Sequence, residues 1–157
     1  MNGMLKENSL KNKVILVTGG GSGLGKSMVE YFVELGANVI ITSRRKELLD
    51  EVAKKINAEN ESEVFPVPCD VRNIDEVEKV VDEAYKKFGK VDCLINNAAG
   101  NFISPTERLS TRAFDAIIDI VLKGTINFTL TLGKKWIEEK INGNVLNIVT
   151  TYSWTGS

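Results

Sequence analysis

A glycine-rich stretch near the start of the chain is the first place where residue types and their spacing indicate chemistry. Between an apolar run at 14–17 and a long stretch of helical period, the chain reads Thr18-Gly19-Gly20-Gly21-Ser22-Gly23-Leu24-Gly25. Glycines allow a tight turn and a close approach of the backbone to a ligand, and the free N–H groups of a new helix attract anions. We therefore expect this loop to bind the pyrophosphate of a dinucleotide; the alternative is a plain strand-to-helix turn.

A cluster of cations follows the second apolar run. The segment reads Thr42-Ser43-Arg44-Arg45-Lys46 and contains no acid. Domains that bind NAD usually place Asp or Glu here, on the ribose 2′-hydroxyl, whereas a 2′-phosphate needs the forked, charge-assisted hydrogen bonds that Arg makes. Arg44 and Arg45 are therefore predicted to bind the 2′-phosphate, and the cofactor is predicted to be NADP(H). The alternative is a solvated start of the second helix.

Two further polar segments follow the third and fourth apolar runs. They read Cys69-Asp70-Val71-Arg72 and Asn96-Asn97-Ala98-Ala99-Gly100. Ligands of open parallel sheets bind outside the carboxyl ends of the strands, so these segments are expected at the same crevice as the glycine loop. The predicted cofactor contacts are Asp70, Val71, Asn97, Ala98 and Ala99. For Asn96 and Asn97 the alternative is hydrogen bonding to the loop backbone alone.

Short β-branched runs alternate along the chain with stretches of helical period. Strands are predicted at about 13–18, 37–42, 63–68, 91–96 and 143–149, and helices at about 23–35, 45–58, 74–88 and 107–140, the last long enough for two consecutive helices. This alternation predicts an α/β fold, a doubly wound parallel sheet of Rossmann type with helices on both faces. Left-handed helix caps are predicted at Gly36, Gly89 and Asn142-Gly143.

The predicted elements make one dinucleotide-binding domain over residues 13–157, preceded by a polar extension at 1–12. The chain stops soon after the fifth strand, which would leave an apolar edge strand uncovered. We therefore expect that further C-terminal strands are missing from this chain.

Composition excludes several classes of function. Twenty Lys and Arg residues balance 21 Asp and Glu residues and are interspersed with them, so nucleic acid is not an expected partner. The apolar runs are far shorter than the roughly 20 residues that span a bilayer, and residues 1–10 are too polar for a signal sequence. We therefore expect no membrane partner and a cytoplasmic location, or an organelle reached by a signal that this chain does not carry. The chain has no His, which excludes a His-based metal site and a Ser-His-Asp triad, and no metal is predicted. Cys69 and Cys93 are expected to be free thiols.

The motifs taken together resemble a known superfamily. TGxxxGxG at 18–25, Asp70 after the third strand and the Asn-Asn-Ala-Ala-Gly segment at 96–100 resemble the short-chain dehydrogenases/reductases over residues 13–157. The resemblance implies that Asp70 contacts the adenine. The chain departs from most members at Val121, where an Asn is usual, and it has no YxxxK before its end. The water-linked proton relay through that Asn is therefore not expected.

These departures are typical of one branch of the superfamily. Residues 96–110, 119–125 and 150–152 look like the NADPH-dependent 2,4-dienoyl-CoA reductases. The resemblance implies an acyl-CoA substrate, with Tyr152 and Asn101 as catalytic donors to the thioester oxygen where negative charge develops. It also implies that Phe102 and Ser110 line the acyl or CoA channel and that Arg72 binds CoA phosphates. The alternatives are strand-end packing for Tyr152, a loop-capping amide for Asn101 and plain packing for Phe102. For Arg72 the alternative is a solvated loop charge.

The same resemblance implies a homotetramer assembled through the long helix at 112–140, with ordinary sheet packing of that helix as the alternative. The family's Lys would lie beyond Ser157, so this piece is expected to be inactive alone. Two other functions stay open. One is a trans-2-enoyl-CoA or carbonyl reductase of the same superfamily, and the other is a dinucleotide-binding module without turnover.

Overall fold

The computed structural model describes residues 5–100 and 104–150, and a five-stranded parallel sheet lies at their centre. Its strands are β1 Val14–Thr18, β2 Asn38–Ser43, β3 Val64–Pro68, β4 Cys93–Asn96 and β5 Asn144–Asn147. The strand order is β3-β2-β1-β4-β5, so the chain reverses direction across the sheet after β3 and returns past β1 to β4. The predicted doubly wound α/β fold is confirmed.

The helices lie where the apolar period predicts them. They are α1 Gly23–Glu34, α2 Lys46–Asn57, α3 Ile74–Phe88, α4 Thr111–Ile118 and α5 Gly124–Glu139. The stretch predicted as helix at 107–140 is divided: a 3₁₀ turn at Thr106–Arg108 precedes α4, and a π turn at Asp119–Lys123 joins α4 to α5. The π turn adds a residue to the helical repeat, so the faces of α4 and α5 are out of phase.

The core has two layers, one on each face of the sheet. Ile15 and Val17 of β1 face α1 and α2, and Leu16 faces α3 and α5. On the α3 and α5 side the buried helix residues keep the spacing of an amphipathic face; they are Val77, Val80, Val81, Ala84, Phe128, Leu132 and Trp136. Burial of both faces explains why the central strand β1 is apolar from Val14 to Val17.

Two of the three predicted helix caps are confirmed. Gly36 and Gly89 have φ of 92° and 76° after α1 and α3. The prediction at Asn142-Gly143 is wrong, because α5 ends at Glu139 and its C-cap residue is Lys140, which takes the left-handed conformation with φ 56°. A Cβ at Gly143 would lie 2.2 Å from the Trp136 ring, so this glycine is needed for close packing and does not cap the helix.

The helical segment Thr111–Glu139 is long and apolar enough to cross a membrane by length and composition, because an 18-residue window within it has a mean hydropathy of 1.4. In the domain, Phe128 and Leu132 of this segment are fully buried against the sheet, whereas Phe114 and Val121 are 52% and 41% exposed. The helical stretch predicted to form the subunit contact therefore packs some of its apolar residues on the sheet and exposes others. The absence of a membrane partner stays a prediction.

Candidate functional site

A cavity of about 310 Å³ lies at the carboxyl edge of the sheet, where β1, β2, β3 and β4 end. The residues that were predicted to bind the cofactor and that line it are Gly19, Gly21, Ser22, Leu24, Gly25, Arg44, Arg45, Asp70, Val71, Asn97, Ala98 and Ala99. Gly20 and Gly23 are not among its lining residues. The four segments that sequence motifs single out are thus brought together at one edge of the sheet.

The glycine loop is packed tightly on one side and open on the other. A Cβ at Gly25 would lie 2.3 Å from the Gly19 carbonyl oxygen, and one at Gly20 would lie 2.8 Å from Ile41 Cγ2. At Gly23 the φ is +52°, and nothing in the described part of the chain lies within 4 Å of a Cβ placed there. The loop backbone therefore forms a cradle whose outer side has room for a ligand.

The N-terminus of α1 points its backbone donors at this loop. Ser22 is the N-cap residue, but within the described residues no side chain caps the first turn of α1, and that turn carries no acid. Four N–H groups at a helix start lack intrahelical partners, and the helix dipole makes this end positive. The arrangement suits an anion such as a pyrophosphate.

Thr18 ties the glycine loop to the end of β4. Its hydroxyl accepts from the backbone N–H groups of Asn97 and Ala98, at 3.0 and 2.9 Å, and donates to the Ile95 carbonyl at 3.4 Å. Asn97 Nδ2 in turn donates to the Thr18 carbonyl at 3.0 Å. Thr18 was not predicted as a site residue, because the partners of its hydroxyl are almost 80 residues away in the chain.

The two Asn residues at the end of β4 have different roles. Asn97 lines the cavity, and its Nδ2 donates to the backbone carbonyls of Thr18 and Gly19. Asn96 is 5% exposed, and its Nδ2 donates to Thr129 Oγ1 on α5 at 3.1 Å and to Asn147 Oδ1 on β5 at 2.9 Å. Asn96 therefore links β4 to the elements on its far side, away from the glycine loop.

The cationic segment reaches from the end of β2 towards the glycine loop. Arg45 Nη2 donates to Ser22 Oγ at 3.4 Å, and the Arg45 backbone N–H donates to Ser43 Oγ at 3.3 Å. Both Arg44 and Arg45 are exposed, and among residues 5–100 and 104–150 neither is ion-paired to a carboxylate. Two guanidinium groups and two hydroxyls therefore border the cavity beside the helix terminus.

The segment after β3 is held by neighbours on three sides. The Asp70 N–H donates to Glu76 Oε2 at 2.7 Å, and the Asp70 carboxylate accepts a fork from Arg72. The Arg72 guanidinium holds the pKa of the Asp70 carboxyl below its usual range, so the group is ionised. Asn127 Nδ2 on α5 donates to the Val71 carbonyl at 2.9 Å.

Three lining residues were not predicted, namely Ser43, Cys69 and Ile120. Ser43 could have been found, because it ends β2 next to Arg44. Burial raises the pKa of the Cys69 thiol to about 12, so this free cysteine is not a nucleophile at neutral pH. Ile120 lies in the π turn with its Cδ1 only 2.7 Å from the position of a Cβ at Gly100; the helical period of the sequence gives no sign of that turn.

Only some of the residues predicted for catalysis and substrate binding belong to the described part of the chain. Asn101, Phe102 and Tyr152 lie outside the described residues. Ser110 is exposed and accepts a hydrogen bond from the Ala113 N–H at 3.1 Å, so it caps α4. Val121 lies in the π turn, and its carbonyl accepts from Thr125 Oγ1 at 2.7 Å.

Comparison with known proteins agrees with this geometry. A family model described as short chain dehydrogenase matches residues 13–157. A probable 2,4-dienoyl-CoA reductase 3, (3E)-enoyl-CoA-producing, of Caenorhabditis elegans is 46% identical over 155 residues, which cover 98% of this chain and 50% of that protein. A probable 2,4-dienoyl-CoA reductase, (2E)-enoyl-CoA-producing, of Bacillus subtilis strain 168 is 41% identical over 145 residues, with coverages of 92% and 57%. The chain spans about half the length of the curated relatives it matches.

Solved structures give the same result. A short chain dehydrogenase from Bacillus anthracis superimposes with a TM-score of 0.90 at 45% identity, over 95% of this chain and 61% of that one. A 3-ketoacyl-(acyl-carrier-protein) reductase from Brucella melitensis, complexed with NADH, superimposes with a TM-score of 0.83 at 29% identity, with the same coverages. The resemblance inferred from the motifs is confirmed: the chain belongs to the short-chain dehydrogenase family.

Proposed function

We propose that the full-length protein is an NADPH-dependent 2,4-dienoyl-CoA reductase. The binding of a nucleotide is proposed from the cavity at the sheet edge. This cavity is bordered by the N-terminus of α1, which has no side-chain cap among the described residues, and by the cationic residues Arg44 and Arg45. The reaction is proposed from the relatives, which are named 2,4-dienoyl-CoA reductases at 46% and 41% identity.

The residues of the cavity fit a dinucleotide. The backbone of Gly19 and Gly21 with the first turn of α1 would hold the pyrophosphate, and Asp70 with Val71 would hold the adenine. When bound, the nicotinamide would supply a hydride. The chain's part is to hold the nucleotide by backbone donors and to keep the loop closed on β4 through Thr18.

A preference for NADP(H) is proposed from the end of β2. An Asp or Glu at that point would repel a 2′-phosphate, whereas Arg44, Arg45 and Ser43 offer charge-assisted donors. Both guanidinium groups are exposed, and within the described residues neither forms an ion pair with a carboxylate, so binding a phosphate breaks no ion pair.

On the substrate side, Tyr152 and Asn101 are proposed to donate hydrogen bonds to the thioester oxygen as negative charge develops there. Two neutral donors on one oxygen form an oxyanion hole, and each is typically worth about 3 kcal/mol. Val121 stands where most members of the superfamily have an Asn, and its side chain can neither donate nor accept a hydrogen bond. This substitution supports a mechanism without a proton relay through that Asn.

Assembly as a homotetramer and a cytoplasmic location are also proposed. The α4–α5 segment exposes large apolar residues that a neighbouring subunit could cover; they are Phe114, Val121, Leu122, Ile126, Leu130 and Ile137. Exposed apolar patches of this kind mark interaction surfaces more often than free surface.

The decisive experiment follows NADPH oxidation by the full-length protein with a 2,4-dienoyl-CoA, a 2-enoyl-CoA and a ketone in parallel. We expect turnover with the dienoyl-CoA, and a fall in kcat of about 10²–10³ in Tyr152→Phe and in Asn101→Ala with little change in KM. Turnover confined to the 2-enoyl-CoA or the ketone would contradict the proposal, and so would wild-type kcat in Tyr152→Phe.

Cofactor choice has its own test. Arg44→Asp combined with Arg45→Ala should weaken NADPH binding and shift the preference towards NADH, whereas Lys54→Asp, an exposed cation at the other end of α2, should leave the preference unchanged. Unchanged NADPH affinity in the double variant would reject the 2′-phosphate assignment.

A further inference from the structure

Arg72 directs its donors at a single carboxylate on the rim of the cavity. Its Nε lies 2.9 Å from Asp70 Oδ1, its Nη2 lies 2.5 Å from Oδ2, and its backbone N–H donates to Oδ1 at 3.1 Å. Asp70 lines the cavity, and Arg72 is not among the lining residues in the described part of the chain. The guanidinium therefore approaches the carboxylate from outside the cavity.

This pairing leaves the carboxylate with unused acceptor capacity. An ionised carboxylate accepts at about four positions, two on each oxygen. Arg72 directs three donor hydrogens at these positions: its backbone N–H on Oδ1, one from Nη2 on Oδ2, and one from Nε that is shared between Oδ1 at 2.9 Å and Oδ2 at 3.1 Å. Three donor hydrogens on about four acceptor positions leave capacity for one further donor.

The backbone of this segment is held independently of Arg72. Glu76 Oε2 accepts from the Asp70 N–H at 2.7 Å, and Asn127 Nδ2 donates to the Val71 carbonyl at 2.9 Å. A Cβ at Gly124 would lie 2.5 Å from Val71 Cγ2, so α5 packs directly on Val71. Loss of the Arg72 side chain should therefore free the Asp70 carboxylate without moving the segment.

We propose that Arg72 is a positioning residue for base recognition, orienting the Asp70 carboxylate as an acceptor for the amino group of adenine. The inference rests on the proposed dinucleotide-binding function and gives Arg72 a different role from binding CoA phosphates. An amino group donates to a fixed carboxylate, whereas a base with a carbonyl oxygen at that position presents a second acceptor to it. Arg72 also lowers the pKa of the Asp70 carboxyl, which keeps it an acceptor only.

The test compares NADP⁺ with its hypoxanthine analogue, in which an oxygen replaces the adenine amino group. Dissociation constants for both are measured by calorimetry on the full-length wild type, Arg72→Met, Arg72→Lys and the control Lys79→Met. Lys79 is a 70% exposed cation on α3 that pairs with Glu83, so its loss matches the change in charge away from the cavity. Arg72→Met keeps an unbranched stem, and the Arg72 side chain is 41% exposed, so folding should be retained.

We expect the wild type and Lys79→Met to prefer NADP⁺ by about 10-fold or more, the scale of a hydrogen bond to a charged group. In Arg72→Met the preference should fall below about 3-fold through weaker NADP⁺ binding alone, and Arg72→Lys should restore part of it. If Arg72→Met kept the wild-type preference for NADP⁺ over the analogue, the inference would be overturned, whether or not the KM for acyl-CoA rises. It would also be overturned if Arg72→Met bound NADP⁺ and the analogue more weakly by the same factor. A wild type that binds both equally would overturn this inference and leave the proposed function intact, whereas a wild type that binds neither would overturn both.

Discussion

β1 and β5 are similar in sequence and opposite in burial. Val14 to Val17 of β1 are at most 4% exposed, whereas Val145 and Leu146 of β5 are 39% and 48% exposed. β1 lies between β2 and β4 and is covered by helices on both faces, while β5 pairs with β4 at the edge of the sheet in the described residues. Apolar, β-branched residues thus predict a strand, but its neighbours decide whether the strand is buried.

The helices α4 and α5 also differ in burial. Gly124, Phe128, Leu132 and Trp136 of α5 are buried on the sheet side, and α4 has no fully buried residue among those described. Substitutions on the packed side should act through the fold, and substitutions on the open side should act through binding or assembly. Matched pairs of the same residue type test this distinction.

The largest effect is expected from Leu132→Ala, compared with Leu130→Ala two residues earlier on α5. Leu132 is fully buried and Leu130 is 58% exposed. Removing the buried side chain leaves a cavity and should lower the unfolding free energy by about 3 kcal/mol, whereas Leu130→Ala should change it by less than about 0.5 kcal/mol. Denaturant unfolding measures both, and sedimentation measures whether Leu130→Ala weakens association. Equal destabilisation would show that the open face is packed.

Gly25→Ala and Gly23→Ala come next, because these glycines lie two residues apart in the loop. The new Cβ at Gly25 would lie 2.3 Å from the Gly19 oxygen, while the one at Gly23 enters open space at a positive φ. We expect a loss of about 2–3 kcal/mol for Gly25→Ala from overpacking and about 1 kcal/mol for Gly23→Ala from backbone strain. Thermal unfolding with and without NADP⁺ measures the difference. If Gly23→Ala proved the more damaging, the loop would not be packed as described.

A smaller effect is expected at two glycines of α5. A Cβ at Gly124 would lie 2.5 Å from Val71 Cγ2, but no described atom lies within 4 Å of one at Gly133. Gly124→Ala should therefore destabilise by about 1–2 kcal/mol, and Gly133→Ala should stabilise by about 0.5–1 kcal/mol because alanine favours a helix. Urea unfolding followed by circular dichroism measures both changes in unfolding free energy. Changes of the same sign would contradict the conclusion that Gly124 is tightly packed and Gly133 is not.

The smallest effect concerns pH. Arg72, with a smaller contribution from Arg44, lowers the pKa of the Asp70 carboxyl below its usual range; Glu76 also faces this segment. A lowered native pKa gives stability that is fully present above the unfolded value and is lost as the pH falls through the native one. The unfolding free energy of the wild type should thus exceed that of Arg72→Met by about 0.5 kcal/mol near neutral pH. The two unfolding free energies should converge as the pH falls and the carboxyl becomes protonated. Urea unfolding across that range tests it; a difference independent of pH would exclude Asp70 as its source.

Much of the site was predictable because its signals are local. The glycine spacing, the acid-free Ser43-Arg44-Arg45 segment and the polar residues after β3 and β4 can each be recognised within a few residues. Parallel strands bring such segments to one edge, and the cavity contains nearly all of them. The cap at Lys140 and the position of Ile120 could not be predicted, since the Trp136 ring against Gly143 and the π turn are consequences of packing.

The sequence by itself determined the order of strands and helices, the glycine loop and the cationic rim, because backbone freedom, apolar period and charge are properties of neighbouring residues. Only the tertiary structure decided which distant groups meet. Thr18 with Asn97, and Asn127 with Val71, are separated by 79 and 56 residues, and their hydrogen bonds exist because the sheet and α5 bring them together. Burial was decided in the same way, since a valine on β1 and a valine on β5 differ only in what covers them.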